Sequence, residues 1–153
     1  MLDLIIKNGS CYIDKDLKDQ DIAIKDGKII KIGKIDGEAK EIFDAKGLTV
    51  LPGCIDTQTH FREPGSTDTE DLHSGSRAAI VGGITSVFEM PNTNPPTSTK
   101  AEFQKKLDLA KDRMYCNYAF YFGATADNAN ELSDLVNLEG CCGIKLFAGS
   151  STG

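Results

Sequence analysis

Apolar positions in the first fifty residues come in short clusters set among charges: Leu4-Ile5-Ile6, then Ile22-Ala23-Ile24-Lys25 and Lys28-Ile29-Ile30-Lys31-Ile32. The last two flank Asp26-Gly27, a dipeptide suited to a tight hairpin because both turn positions tolerate positive φ. Alternation of Ile and Lys in the second arm predicts one buried and one wet face. Residues 1–50 are therefore expected to form a small antiparallel β layer, and 51–153 a second domain with a different rhythm.

From Leu48 the pattern becomes apolar strand, polar loop, helix, and then repeats. Thr49-Val50-Leu51 through Ile55 predicts a strand, and 71–81 a helix closed by Gly82-Gly83, where glycine suits a left-handed cap. A strand is expected over Ile84 to Met90. The next helix opens on Thr99-Lys100-Ala101-Glu102, a capping-box pattern, and carries Phe103, Leu107, Ala110 and Met114 on one face. A third strand spans Tyr115 to Phe122, Asn128 and Glu131 suggest another capping box before Leu132, Leu135 and Val136, and Gly143 to Phe147 predicts a fourth strand. Roughly four strand–helix repeats imply parallel pairing with right-handed crossovers, in an open doubly wound sheet or part of a (β/α)8 barrel. Periodicity does not choose between them.

Charge narrows the partners. Lys and Arg number 17 against 23 Asp and Glu, for a net charge of −6, so the basic face that phosphate backbones require is absent and nucleic acid is not expected. No apolar run reaches the roughly 18 residues of a membrane span, and Asp3 spoils a secretory leader, so the expected location is the cytoplasm. Cys11, Cys54, Cys116, Cys141 and Cys142 form an odd set without a CxxC pair, which points to reduced, small hydrophobic residues rather than a disulfide framework or thiolate zinc site.

The chemistry concentrates in Leu51-Pro52-Gly53-Cys54-Ile55-Asp56-Thr57-Gln58-Thr59-His60-Phe61-Arg62-Glu63-Pro64-Gly65. On a strand, positions two apart face the same way, so 56, 58, 60 and 62 are expected to project together. The stretch resembles the amidohydrolase signature P-G-x-I-D-x-H-x-H, and R-E-P-G narrows the resemblance to dihydroorotases. Met90-Pro91-Asn92-Thr93-Asn94-Pro95 is similar to the M-P-N-T-x-P of the same family.

The resemblance implies an α/β fold: about the first half of a TIM-type (β/α) barrel, preceded by a small N-terminal β-sandwich-like layer. It implies reversible hydrolysis of dihydroorotate to carbamoyl aspartate in pyrimidine biosynthesis, at one or two zinc ions. It makes His60 a metal ligand, Lys145 in Gly143-Ile144-Lys145-Leu146-Phe147 a carboxylated bridging lysine, and Arg62 and Asn92 the binders of the substrate carboxylate. Arg62 suits that task physically, since a guanidinium holds a carboxylate by two parallel hydrogen bonds. Lys145 could instead snorkel to the surface, and Pro-Asn-Thr-Asn-Pro-Pro around Asn92 is also good turn chemistry. His73 reads as a solvated helix residue, and Asp56 either as a group that orients a metal ligand from behind or as a strand cap.

Two departures mark the match. Gln58 stands where the family has its first histidine, and an amide is a poor zinc ligand beside an imidazole. The family's later histidines and general base would lie beyond Gly153, so no catalytic base is expected in this chain, which should be inactive alone and either self-associate or need a missing barrel half. The alternatives are a non-catalytic, dihydroorotase-like binding or assembly partner, and within the enzymes a hydantoinase or allantoinase.

Overall fold

A computed structural model describes residues 1–149. The expectations attached to the chain's end at Gly153 lie outside the described residues. The chain divides into two units, Met1–Pro52 and the residues from Gly53 onward.

The first unit is a sheet with strand order β3-β2-β1-β4, where β1 is Leu2–Ile13, β2 Asp16–Lys25, β3 Lys28–Gly33 and β4 Ala39–Asp44. β1–β2 and β2–β3 pair antiparallel. Asp26 and Gly27 form the anticipated hairpin turn, at φ of 51° and 71°. A second hairpin, unforeseen, joins β1 to β2 through Asp14 and Lys15, also at positive φ. β4 and the short β5, Thr49–Val50, both pair parallel with β1. The layer is therefore mixed rather than purely antiparallel. Thr49 to Ile55 is also not one strand, because β5 belongs to this sheet and β6 to the next.

In the second unit β6 (Cys54–Thr59), β7 (Ile84–Glu89), β8 (Asn117–Gly123) and β9 (Cys141–Lys145) lie in that order, every pair parallel. Helix α1 (Leu72–Val81) connects β6 to β7, and α2 (Lys100–Ala110) connects β7 to β8. This is the strand–helix half of a TIM-type barrel, an incomplete barrel with the N-terminal sheet layer before it. Its core is built from Phe61, Leu72, Val87, Phe103, Ala110, Cys116, Phe120, Phe122 and Leu135, the apolar face of each helix covering the sheet.

Local chemistry explains the boundaries. Asp71 caps α1, its carboxylate accepting from Ser74 N at 2.6 Å, and that hydrogen bond holds its carboxyl below the usual carboxylate range. The left-handed glycine after α1 is Gly83, at φ 87°, whereas Gly82 stays right-handed. Thr99 caps α2, accepting from Glu102 N at 3.2 Å. Neither expected capping box is complete: at Thr99 only the bond from Glu102 N forms, and Asn128 instead accepts from Thr125 N and donates to Ser98 O and Gly123 O, each at 2.9 Å. A short 3-10 turn, Ala129–Glu131, runs from there into the single-turn helix α3, Leu132–Leu135. All five cysteines are free. Among the described residues no helix is long and apolar enough to cross a membrane.

Candidate functional site

β6 and β7 end side by side, and the loops beyond them carry most of the residues that the sequence singles out. His60 Nδ1 lies 2.9 Å from Asn92 Oδ1. With the amide oxygen accepting, the ring N–H is on Nδ1 and Nε2 keeps a lone pair, one of the two forms in which an imidazole can bind a metal. The two loops are knit together: Asn94 N donates to Pro64 O and Met90 N to Thr59 O. Gly65, at φ 120°, permits this approach, since a Cβ there would meet Asn94 Cβ at 2.8 Å.

Two carboxylates flank Arg62. Glu89 Oε1 accepts from Phe61 N at 3.2 Å, and the other oxygen pairs with the Lys106 ammonium. Lys106 Nζ also donates to Met90 O at 3.0 Å and lies 4.9 Å from the Phe120 ring centroid. Both side chains of the pair are fully enclosed, at 0% and 1% exposure. Burial pushes the Glu89 carboxyl up to about 7, with Lys106 pulling the other way; burial likewise lowers the Lys106 ammonium, against the pull of Glu89. On the other side, Glu63 accepts from Leu72 N at 2.8 Å and receives Arg113 through two hydrogen bonds, at 2.8 and 3.2 Å. That pairing raises the Arg113 guanidinium. Arg62 itself sits at φ 63°.

The buried pair was not singled out from sequence, although a signal was present. Lys106 falls three residues after Phe103 and four before Ala110 on the buried face of α2, and Glu89 interrupts the apolar strand Ile84 to Met90. Two opposite charges, each at a position where its own element calls for an apolar residue, are best explained by one another.

The remaining expectations meet the structure unevenly. β6 is irregular: Asp56 pairs with Val87 and Thr59 with Glu89, so three steps on one strand match two on the other. This bulge, with the left-handed turn at Arg62, breaks the two-residue alternation that was to carry 56, 58, 60 and 62 to one face. Gln58 is exposed, and its backbone N–H donates to Asp56 Oδ1 at 2.9 Å. Lys145 ends β9 with its ammonium 5.2 Å from the Phe147 ring centroid. His73 is exposed on α1, against the Tyr115 hydroxyl at 3.3 Å.

The resemblance implies a metal, and the donors present meet that demand only in part. His60 fits as a single imidazole ligand, but Gln58 offers a neutral amide and Lys145 an ammonium. Among the described residues no group of three or more His, Cys, Asp or Glu is placed to hold a metal ion. The described residues do not make up a metal centre.

The amidohydrolase family model matches residues 49–141. An allantoinase of Escherichia coli O1:K1 is 42% identical over 146 residues, 95% of this chain but 32% of that protein. The L-hydantoinase (dihydropyrimidinase) from Arthrobacter aurescens matches with a TM-score of 0.90 and 33% identity over 100% of this chain and 35% of its own. A D-hydantoinase matches with a TM-score of 0.78 and 33% identity over 92% of this chain and 32% of its own. The chain thus spans about a third of the length of these relatives. They support a cyclic amidohydrolase and not a dihydroorotase specifically, and members of the family are typically metal-dependent. With the motif residues converging at the β6 and β7 ends and the family model spanning residues 49–141 of 153, this chain belongs to the amidohydrolase family.

Proposed function

We propose that this chain carries the first part of a cyclic-amide hydrolase site of the allantoinase and hydantoinase type. The observation that carries the reading is the 42% identity to an allantoinase over 95% of the chain. It favours the alternative within the enzymes over dihydroorotate hydrolysis, which R-E-P-G and M-P-N-T had suggested. In this reading His60, oriented by Asn92, presents Nε2 at the mouth of the site, and Arg62 meets an electron-rich carbonyl or carboxylate of the ring substrate. Zinc would bind only once other donors join His60. Among the described residues β6 and β9 are the outer strands of their sheet, with Ile55 on β6 exposed by 57%, and these are the edges where further strands of a family barrel would pair.

A graft tests the choice. The first third of the A. aurescens hydantoinase is replaced by this chain, with Gln58 or with Gln58→His, and hydrolysis of allantoin, hydantoin and dihydroorotate is followed with added zinc. The histidine graft should prefer allantoin or hydantoin and outrun the Gln58 graft by at least tenfold. Preference for dihydroorotate would sink the reading.

A second reading, a non-catalytic binding or assembly partner, draws on Gln58 alone. Equal, undetectable turnover by both grafts, with the fold intact, would favour it.

A further inference from the structure

We infer that Glu89–Lys106 and Glu63–Arg113 form a two-sided clamp that holds Arg62 in a left-handed backbone conformation, and so act as positioning residues that aim its guanidinium at an anionic group of the substrate. The positioning role rests on the proposed reading of Arg62 as a substrate-binding residue; the clamp itself does not.

The backbone supplies the first argument. Arg62 has φ 63°, a region unfavourable for a residue bearing a Cβ, which persists only where the surroundings over-determine it. Among the other non-glycine residues at positive φ, Asn8, Asp14, Asp26 and Asp112 are of the types that tolerate it, and Lys15 lies in the tight hairpin between β1 and β2. Arg62 has neither explanation. What over-determines it is visible on both sides: the preceding N–H, of Phe61, is held by Glu89, and the following side chain, of Glu63, is held by Arg113 and the first amide of α1.

The second argument comes from where the inner pair sits. Lys106 and Glu89 are enclosed between α2 and the sheet, beside Phe120. An apolar pair of similar size there is often as stable as an ion pair or more so. No apolar pair could accept from Phe61 N and donate to Met90 O. Those two backbone groups lead directly into the loops that bear Arg62 and Asn92. Phe61 is fixed further by α1, where Gly75 leaves room for its ring: a Cβ on Gly75 would come within 2.4 Å of it.

The test is a mutant cycle on the full chain, read by urea unfolding. Arg62→Gly removes the φ strain and should raise the folding equilibrium constant several-fold in the native background. In Glu89→Leu/Lys106→Met, or in Arg113→Met, the loop can relax, so the same change should bring no gain or a small loss. Glu89→Gln, which keeps an acceptor for Phe61 N, should retain the gain. Arg113→Met alters a side chain that is 36% exposed, so the cycle can be read there even if the core double variant fails to fold. A destabilising Arg62→Gly, or an equal gain in every background, overturns the clamp. Positioning is read separately by titrating succinate against the Arg62 side-chain resonance: Arg113→Met should weaken binding several-fold. Succinate binding without strain coupling sinks the clamp alone. Coupling without succinate binding sinks the reading of Arg62 and the positioning role with it.

Discussion

In the N-terminal unit Ile29, Ile30, Ile32, Ile42 and Phe43 stand 46% to 60% exposed, and the buried cluster is Ile5, Ala23 and Ile35. In the parallel unit Phe103, Phe120 and Phe122 are at most 2% exposed and the two members of an ion pair are enclosed among them. Both regions are strand-rich, yet only the second has two layers closing over its apolar side chains. A polar group can be held in one geometry only where neighbours on all sides leave it no alternative. The parallel unit therefore carries the candidate site, while the N-terminal sheet presents apolar surface.

The largest expected effect tests that contrast directly. Phe120→Ala should lower the stability of the parallel unit by about 3 to 5 kcal/mol, the loss of a buried ring plus its cavity, measured by urea unfolding with a probe in each unit. A loss below about 1 kcal/mol would mean the second core is no better packed than the first.

Next comes pH. The Glu89 carboxyl stands at about 7 in the folded chain against an ordinary 4.5, so between those values the folded state holds a proton that the unfolded chain has released. Its contribution is full at the acid end and is lost as pH rises through 7, a fall of about 3 kcal/mol at most. Lys106, lowered by burial, acts in the opposite sense at alkaline pH. Unfolding at pH 5 and pH 7.5 should show the fall, and Glu89→Gln should flatten it; an unchanged slope in that variant would remove Glu89 as its source.

A smaller effect concerns local structure. Thr99→Ala deletes the cap on α2 and should cost about 1 kcal/mol, seen as faster amide exchange at Glu102. The smallest belongs to the exposed sheet face: Ile30→Thr should change stability by no more than about 0.5 kcal/mol while lowering binding of a hydrophobic dye. A loss above about 2 kcal/mol would show that the face is covered.

Legibility followed the range of the interaction. The hairpin at Asp26-Gly27, the cap at Thr99 and the alternation of strand and helix are set by residues a few positions apart, and they were readable; the Asp71–Ser74 capping box is just as local but was not singled out. The box at Asn128 failed because its amide finds Ser98 O, thirty positions away, a competitor that no local pattern shows. The division of Thr49 to Ile55 between two sheets was likewise hidden, since each half is defined by its partner strand. Arg62, His60 and Asn92 were singled out through motif, but the contacts that set them were not. Alternation along β6 fails at the bulge, and the clamp joins residues up to fifty positions apart.

The sequence by itself determined the amidohydrolase family, though not the member the motifs suggested, together with the order of elements and the identities of the candidate site groups, because motif spacing and short-range backbone preferences are carried by neighbouring residues. Only the tertiary structure decided which charges are buried together, that the His60 ring meets the Asn92 amide, and that Arg62 leaves its strand in a left-handed turn. Those outcomes depend on desolvation and on hydrogen bonds between distant segments, and both exist only after the chain has packed.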